Sequence, residues 1–410
     1  MAHKLWTKDF TIITVGSVVS MLGGSLSSFA MSLLVLDYTG STFLFALYNV
    51  LYMLPSAVVP MLCGPFLDRF SRRKTIYTLD FLTAGLYVLL AGILWAGAFN
   101  FTVLAVGCVI LGTIGSIYQV AYSSFYPLLI SEGNYSRAYS VASTLETLTM
   151  VMVPLSALIY NTIGIVPLFL IAAPTFLVAA IMETRIKAPE AYLDERRPAE
   201  RRLSRQLVGD FKEGLSYLWA EKGLLAVTVY FAVSYFGAGV SNAVTLPYFR
   251  ERFAGGEYIY SLVMGMSSVG RAIGGGIHYK WKLPVHKKFA IAMTVYVAIS
   301  VLEGGYLFCP VWLMAVMCFV TGILGVTSYN IRIAATQKYV PDEKKGRFNG
   351  AFNTFTTVGL LGGQLLAGAL AEGVPIRGLL AGSAAITVMA AFLFVFRGRR
   401  QVARIYNVED

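Results

Sequence analysis

Twelve long apolar runs, separated by short polar breaks, fill most of the 410 residues. A helix needs about 20 apolar residues to cross a bilayer, and inside lipid every backbone amide must be satisfied within its own segment. The runs fall near 10–36, 42–66, 75–97, 102–128, 139–160 and 164–185, then near 223–247, 258–280, 288–308, 312–337, 348–371 and 376–396. Only 13% of the residues are charged, against about 25% in a soluble domain, so lipid is the solvent for most of the surface. The expected fold class is an all-α membrane protein with twelve transmembrane helices in two six-helix pseudo-symmetric bundles. No large soluble domain fits between the runs. The first run is too long for a signal core and lacks a cleavage site, so it is expected to stay as the first helix.

The polar stretch from Lys187 to Lys212 divides the runs six and six. The expected organisation is an N-terminal bundle over 1–186, a cytoplasmic linker over 187–222, a C-terminal bundle over 223–396 and a cytoplasmic tail over 397–410. Assigning the breaks alternately to two sides puts 28 of the 33 Lys and Arg residues on one side. Arg250, Arg252 and Arg377 fall on the other, and Arg271 and Arg332 lie within runs. That bias orients the chain with both termini cytoplasmic, in a cell inner (plasma) membrane. A shift of 210 superposes the halves: Arg137 falls on Arg347 and Thr144 on Thr354. Six helices per repeat make the two copies parallel, an arrangement known in membrane transporters.

The net charge of +11 sits in the breaks, as topology information, and does not form a phosphate-binding stripe, so nucleic acid is not an expected partner. Cys63, Cys108, Cys309 and Cys318 read as small buried hydrophobes. His3, His278 and His286 lack ligand spacing, so no metal and no cofactor are expected. No nucleophile–base pairing and no nucleotide-binding loop is present, which argues against an enzyme and against an ATP-driven pump.

Residues 64–74 read Gly-Pro-Phe-Leu-Asp-Arg-Phe-Ser-Arg-Arg-Lys. Gly64, Asp68, Arg69, Arg72 and Arg73 resemble the signature loop between helices two and three of the major facilitator superfamily, with Ser71 where a Gly is usual. Gln337 to Arg347, with Pro341, Asp342 and Gly346, resembles the loop between helices ten and eleven of the drug and siderophore exporters of that superfamily. Leu246-Pro247-Tyr248 and Leu54-Pro55 look like the same branch. The resemblance implies alternating access by two six-helix bundles. It also implies a conformational latch built from Gly64, Asp68, Arg69, Arg72, Arg73, Asp80, Asp342 and Arg347, with Asp80 pairing to the arginines at 69–73. Two departures bear on proton antiport. Helix five keeps Pro154 but lacks the glycines of the antiporter signature, and helix four lacks a basic residue.

Ionisable residues at bilayer depth are functional candidates. Glu146 and Arg271 each lie about 12–14 Å deep at 1.5 Å per residue, and are expected to form an ion pair across the two bundles or, for Glu146, to carry a proton. Arg332 either snorkels to the cytoplasmic surface or faces the cavity, and Glu303 is read as interfacial. The candidate cavity residues are Asn49, Tyr52, Tyr118, Gln119, Asn242, Tyr329, Asn330 and Arg332, a set suited to an amphipathic organic substrate. The expected function is export of such a compound by a secondary transporter, with protons as a candidate partner, the lipid bilayer as its setting and a monomer as its state. A transport-inactive receptor or scaffold and an importer of lipid or solute are the competing readings.

Overall fold

A computed structural model describes residues 5–67, 70–97, 100–131, 134–190, 203–280 and 283–407. Within its helices, side chains at 61–67, 135–136, 139–140, 143–151, 203–208, 210–212, 279–280 and 342–343 lie outside the description. The helices are α1 (Lys8–Thr39), α2 (Thr42–Leu67), α3 (Arg72–Trp95), α4 (Phe101–Phe125), α5 (Tyr135–Ile163), α6 (Ile165–Glu183) and α7 (Leu203–Ala220). They continue as α8 (Lys222–Arg252), α9 (Gly256–Lys280), α10 (Lys288–Gly305), α11 (Val311–Tyr339), α12 (Asp342–Leu370), α13 (Ile376–Ala390) and α14 (Arg399–Tyr406).

Local chemistry sets many of the boundaries. Thr7, Ser71 and Asn100 cap α1, α3 and α4 by accepting from the backbone N–H of Phe10, Lys74 and Thr102. Gly40, at φ 60°, ends α1 in the left-handed conformation that favours glycine. Nine of the helices (α1–α4, α6, α8, α10, α11 and α13) are long and apolar enough, among the described residues, to cross a membrane. Within α5, Met152–Ile163 is a further, shorter apolar stretch. The outward faces match a lipid setting: α3 exposes Phe81, Leu82, Val88 and Leu89 while burying Leu79, Asp80, Thr83 and Tyr87 on its opposite face.

The chain forms two compact units, one of 1–40 with 48–199 and one of 41–47 with 200–410. In the first, α1 packs on α5 and α6, and α3 on α4 and α6. In the second, α8 packs on α12, α9 on α11, and α10 on α13. The repeat survives in atomic detail. A Cβ on Gly112 of α4 would overlap the Tyr52 carbonyl oxygen of α2. Gly322 of α11, 210 positions on, would meet the Ser267 carbonyl of α9 in the same way.

Two short helices fall in stretches read as linker and tail. The amphipathic α7 lies against α12: Gly214 contacts the Arg347 backbone, Arg347 Nη1 pairs with Glu213 Oε2 at 2.5 Å, and Lys344 sits 4.6 Å from the Tyr217 ring. After a π-helical turn at Ala391–Phe396, α14 returns to the second unit and buries Val402, Ile405 and Tyr406.

Candidate functional site: an acidic cavity in the first unit

The site begins at the segment that opens α3. Ser71, where a glycine was the expectation, serves as the helix cap. Its hydroxyl accepts from Lys74 N at 3.1 Å and donates to Glu190, whose other oxygen accepts from Arg73 N at 3.3 Å. Arg72 Nη1 donates to the Ser124 carbonyl at 3.1 Å, and Arg73 Nη1 to the Ile186 carbonyl at 2.5 Å. These arginines therefore tie the start of α3 to the end of α4 and to the exit of α6. Cations are favoured at such helix ends because the last carbonyls lack partners of their own.

Asp80 corrects an expectation. It lies eight residues into α3, is 3% exposed, and makes no ion pair with Arg72 or Arg73; its Oδ2 has no hydrogen-bond partner. Its neighbour is another acid. Glu183, the last residue of α6, is fully buried; neither carboxyl oxygen has a donor within hydrogen-bond distance, and the Tyr118 hydroxyl is the donor beside it. The two charges act on one another. Tyr118 of α4 stands within the field of both, with its hydroxyl 3.2 Å from Ser17 Oγ of α1. Gly16 makes room: a Cβ there would press on Glu183 Cγ at 3.3 Å. An unpaired carboxylate in apolar surroundings carries a desolvation cost of tens of kcal/mol in the Born limit.

Asp80 also faces a space. A cavity of about 300 Å³ lies inside the first unit, between α1, α2, α3, α4 and α6. Ser20, Ser25 and Ser28 line one wall, and Tyr52, Tyr87, Tyr118 and Phe176 supply aromatic surface. Asp80 is the one charged residue among the described residues that line it. Tyr87 stacks on Phe176 with ring centres 5.6 Å apart, which fixes one aromatic corner.

The second unit is built differently. Arg332 of α11 is 7% exposed and enclosed by the rings of Phe352, Phe231 and Tyr329 at 4.5, 5.3 and 5.3 Å. Among the described residues no carboxylate pairs with it. Tyr230 stacks on Tyr296 at 4.4 Å, and the Tyr296 and Tyr406 hydroxyls lie 2.7 Å apart. Glu303 of α10 lies within the field of Arg271. It lines a recess of about 10 Å³ with Ser241, Ser300, Ser383 and Thr387, room for about one water.

Comparison with known proteins fits this geometry. The family model of the Major Facilitator Superfamily matches residues 13–302 and 231–409, so nearly all of the chain is covered. The chain belongs to the Major Facilitator Superfamily. An uncharacterized MFS-type transporter, YkuC of Bacillus subtilis (strain 168), is 23% identical over 364 residues, covering 85% of this chain and 82% of that protein. Macrolide efflux protein A of Streptococcus pyogenes is 21% identical over 388 residues, covering 92% of each. The crystal structure of a bacterial homologue of the iron transporter ferroportin, in an inward-facing state, has a TM-score of 0.71 at 13% identity, covering 96% of this chain and 99% of that one.

The facilitator fold disperses the residues singled out by sequence. Tyr52 and Tyr118 do line the cavity with Asp80. Asn49 accepts from the Ser32 hydroxyl at 3.4 Å, a link between α1 and α2. Gln119, Asn242, Tyr329 and Arg271 are exposed, and Asn330 is half-buried. Arg332 does not snorkel, because its aromatic enclosure holds it inside the second unit. Arg347 anchors α7. Gly64 lies near the end of α2; Asp68 and Arg69, and the side chains of Glu146 and Asp342, lie outside the described residues. Glu183 was absent from the sequence reading. The available signal was an acid just inside a span whose exit carries Arg185 and Lys187, where positive residues are the rule.

Proposed function

We propose that this facilitator is a secondary transporter that exports an amphipathic organic compound in exchange for protons, with Asp80 and Glu183 as the proton-carrying groups. The observation that carries the reading is the buried, unpaired acid pair beside a cavity. Two acids that need neutralising, one of them facing the space where a solute fits, are the parts that proton exchange requires. The similarity to a macrolide efflux protein over 92% of both chains favours outward transport of a large organic compound. Alternating access by the two six-helix repeats, in a plasma membrane with both termini cytoplasmic, is the proposed setting, and a monomer the proposed state. The segment 64–73 is the proposed conformational latch. A potential of 100 mV supplies about 2.3 kcal/mol per proton charge, enough to concentrate a neutral solute about fifty-fold.

The test is efflux of a macrolide and of a lipophilic dye from energised cells, with and without a protonophore. Efflux that stops with the protonophore and falls to background in Glu183→Gln is the expected result. No efflux of either compound, with the protein confirmed in the membrane, would overturn the reading.

A further inference from the structure

We propose that α14, with the helix openings it crosses, is a binding site for anionic phospholipid headgroups, with Arg399, Arg400 and Arg404 as its cations and Lys222 and Lys287 at its rim. The inference stands apart from the exporter reading and needs only the membrane setting.

The level of the helix comes first. The last span ends at Phe396. Arg399 and Arg400 follow it closely in sequence, about 6 Å on at 1.5 Å per residue. The headgroup layer is about 5–7 Å thick on each side of the hydrocarbon core, so these arginines fall within it. The rest of α14 keeps to that level. Gly398 lies beside Ala226 of α8, and Gln401 and Ile405 lie against Gly223 at the start of that helix. Asn407 Oδ1 accepts from Phe289 N at the start of α10. One short helix therefore crosses the openings of two spans, which lays its axis along the membrane surface. Exposed Phe392, Leu393 and Phe396 lead into it, and exposed Trp219 precedes α8. Such aromatic and apolar surface is characteristic of the level where a span meets headgroups.

The face it presents comes second. Val402, Ile405 and Tyr406 are buried in the second unit. At about 100° per residue, Arg400 and Arg404 point about 170° away from the centre of that buried face, and both are exposed, as are Arg397 and Arg399. The apolar face is taken up by protein, so what α14 offers outward is charge. That charge does not serve the helix itself. Arg399 and Arg400 open α14, where the backbone dipole favours anions, and Arg400 and Arg404 are like charges one turn apart. Among the described residues no carboxylate pairs with any of these arginines. Glu221, at the opening of α8, accepts from the Tyr339 hydroxyl at 3.0 Å, and Glu409 and Asp410 lie outside the described residues. Arg399 stands 5.5 Å from the Phe396 ring, beside the end of the span. Lys222 and Lys287 are exposed at the two openings. Guanidinium groups bind phosphate oxygens through paired, charge-assisted hydrogen bonds. A lipid with net negative charge gains from the whole cluster, whereas a zwitterionic one brings its own cation.

The experiment places the purified full-length protein in phosphatidylcholine nanodiscs, with and without phosphatidylglycerol, and reads hydrogen exchange at the amides of residues 401–407. Phosphatidylglycerol is expected to slow that exchange at least about tenfold, because each basic residue near an anionic surface contributes about fivefold. Native mass spectrometry should find phosphatidylglycerol retained on the protein in preference to phosphatidylcholine. Combining Arg399→Gln, Arg400→Gln and Arg404→Gln should remove the slowing. Combining Lys8→Gln, Arg185→Gln and Lys187→Gln takes three exposed charges from the first unit and should leave it in place. If the arginine variant does not fold, the unmutated protein decides: at about 1 M salt, where the screening length is about 3 Å, the slowing should disappear. No slowing by phosphatidylglycerol, slowing that survives the arginine variant or high salt, or equal loss in the two triple variants would each overturn the inference. The same slowing by inorganic phosphate in phosphatidylcholine discs would also overturn it, by showing an anion site that needs no lipid.

Discussion

Helices α1, α3, α4 and α6 of the first unit surround an acidic space of about 300 Å³. In the second unit α8, α10 and α13 line a recess of about 10 Å³ at Glu303. The difference is one of filling. The first unit buries Asp80 and Glu183, whereas the second packs Phe231, Tyr329 and Phe352 around Arg332. Its acid stands elsewhere: at the offset of 210 Asp80 falls on Ala290 of α10, and Glu303 lies thirteen residues further on. The repeat has kept its packing frame and divided its chemistry. The buried acid pair lies in one half and the ring-enclosed arginine in the other.

The strongest test of that division neutralises one carboxylate in each half. Asp80→Asn is expected to cut proton-driven efflux at least about tenfold, because an ionisable group at bilayer depth is costly unless it is used. Glu303→Gln should stay within about twofold. Initial rates in inverted membrane vesicles decide it; equal losses would erase the distinction. The shared frame is tested next. Gly112→Ala and Gly322→Ala each force a methyl into a neighbouring backbone carbonyl, so each should lower stability by about 1–3 kcal/mol. Thermal unfolding in detergent should show two similar losses, and a loss confined to one variant would mean the two halves no longer share a frame.

Much of the fold was legible in the sequence because length and hydropathy settle it: a run of over 20 apolar residues has few alternatives in lipid, and loop charge supplies direction. The offset of 210 pointed to a repeat that Gly112 and Gly322 display at atomic scale. The site was far less legible. Asp80 read as part of the arginine segment because it is close in sequence, but two helical turns carry it about 12 Å inward at 1.5 Å per residue. Glu183 was hidden because a polar residue at the end of an apolar run looks like a boundary. Only the approach of α6 to α1 at Gly16 shows it to be interior. Arg332 was weighed by its distance from the polar edge, whereas the rings that hold it come from three different helices.

Two smaller effects sharpen the picture of the second unit. Tyr406→Phe removes the 2.7 Å contact with Tyr296, and the loss should be about 1 kcal/mol, read as a lowered unfolding midpoint. Glu213→Ala breaks the pair with Arg347, whose side chains are 63% and 38% exposed. It should cost no more than about 0.5 kcal/mol, and a larger shift would show that α7 stabilises the unit beyond its surface charge.

The return of α14 has a consequence for how the protein is made. Asn407 Oδ1 accepts from Phe289 N at 3.0 Å, so a residue near the end of the chain occupies one of the backbone donors left open where α10 begins. Tyr406 and Ile405 complete the same neighbourhood. These residues follow the unit's last span in the order of synthesis. The second unit can therefore insert all its spans and still wait for α14 to fill the opening of α10, whereas every described residue that lines the first unit's cavity lies within a span.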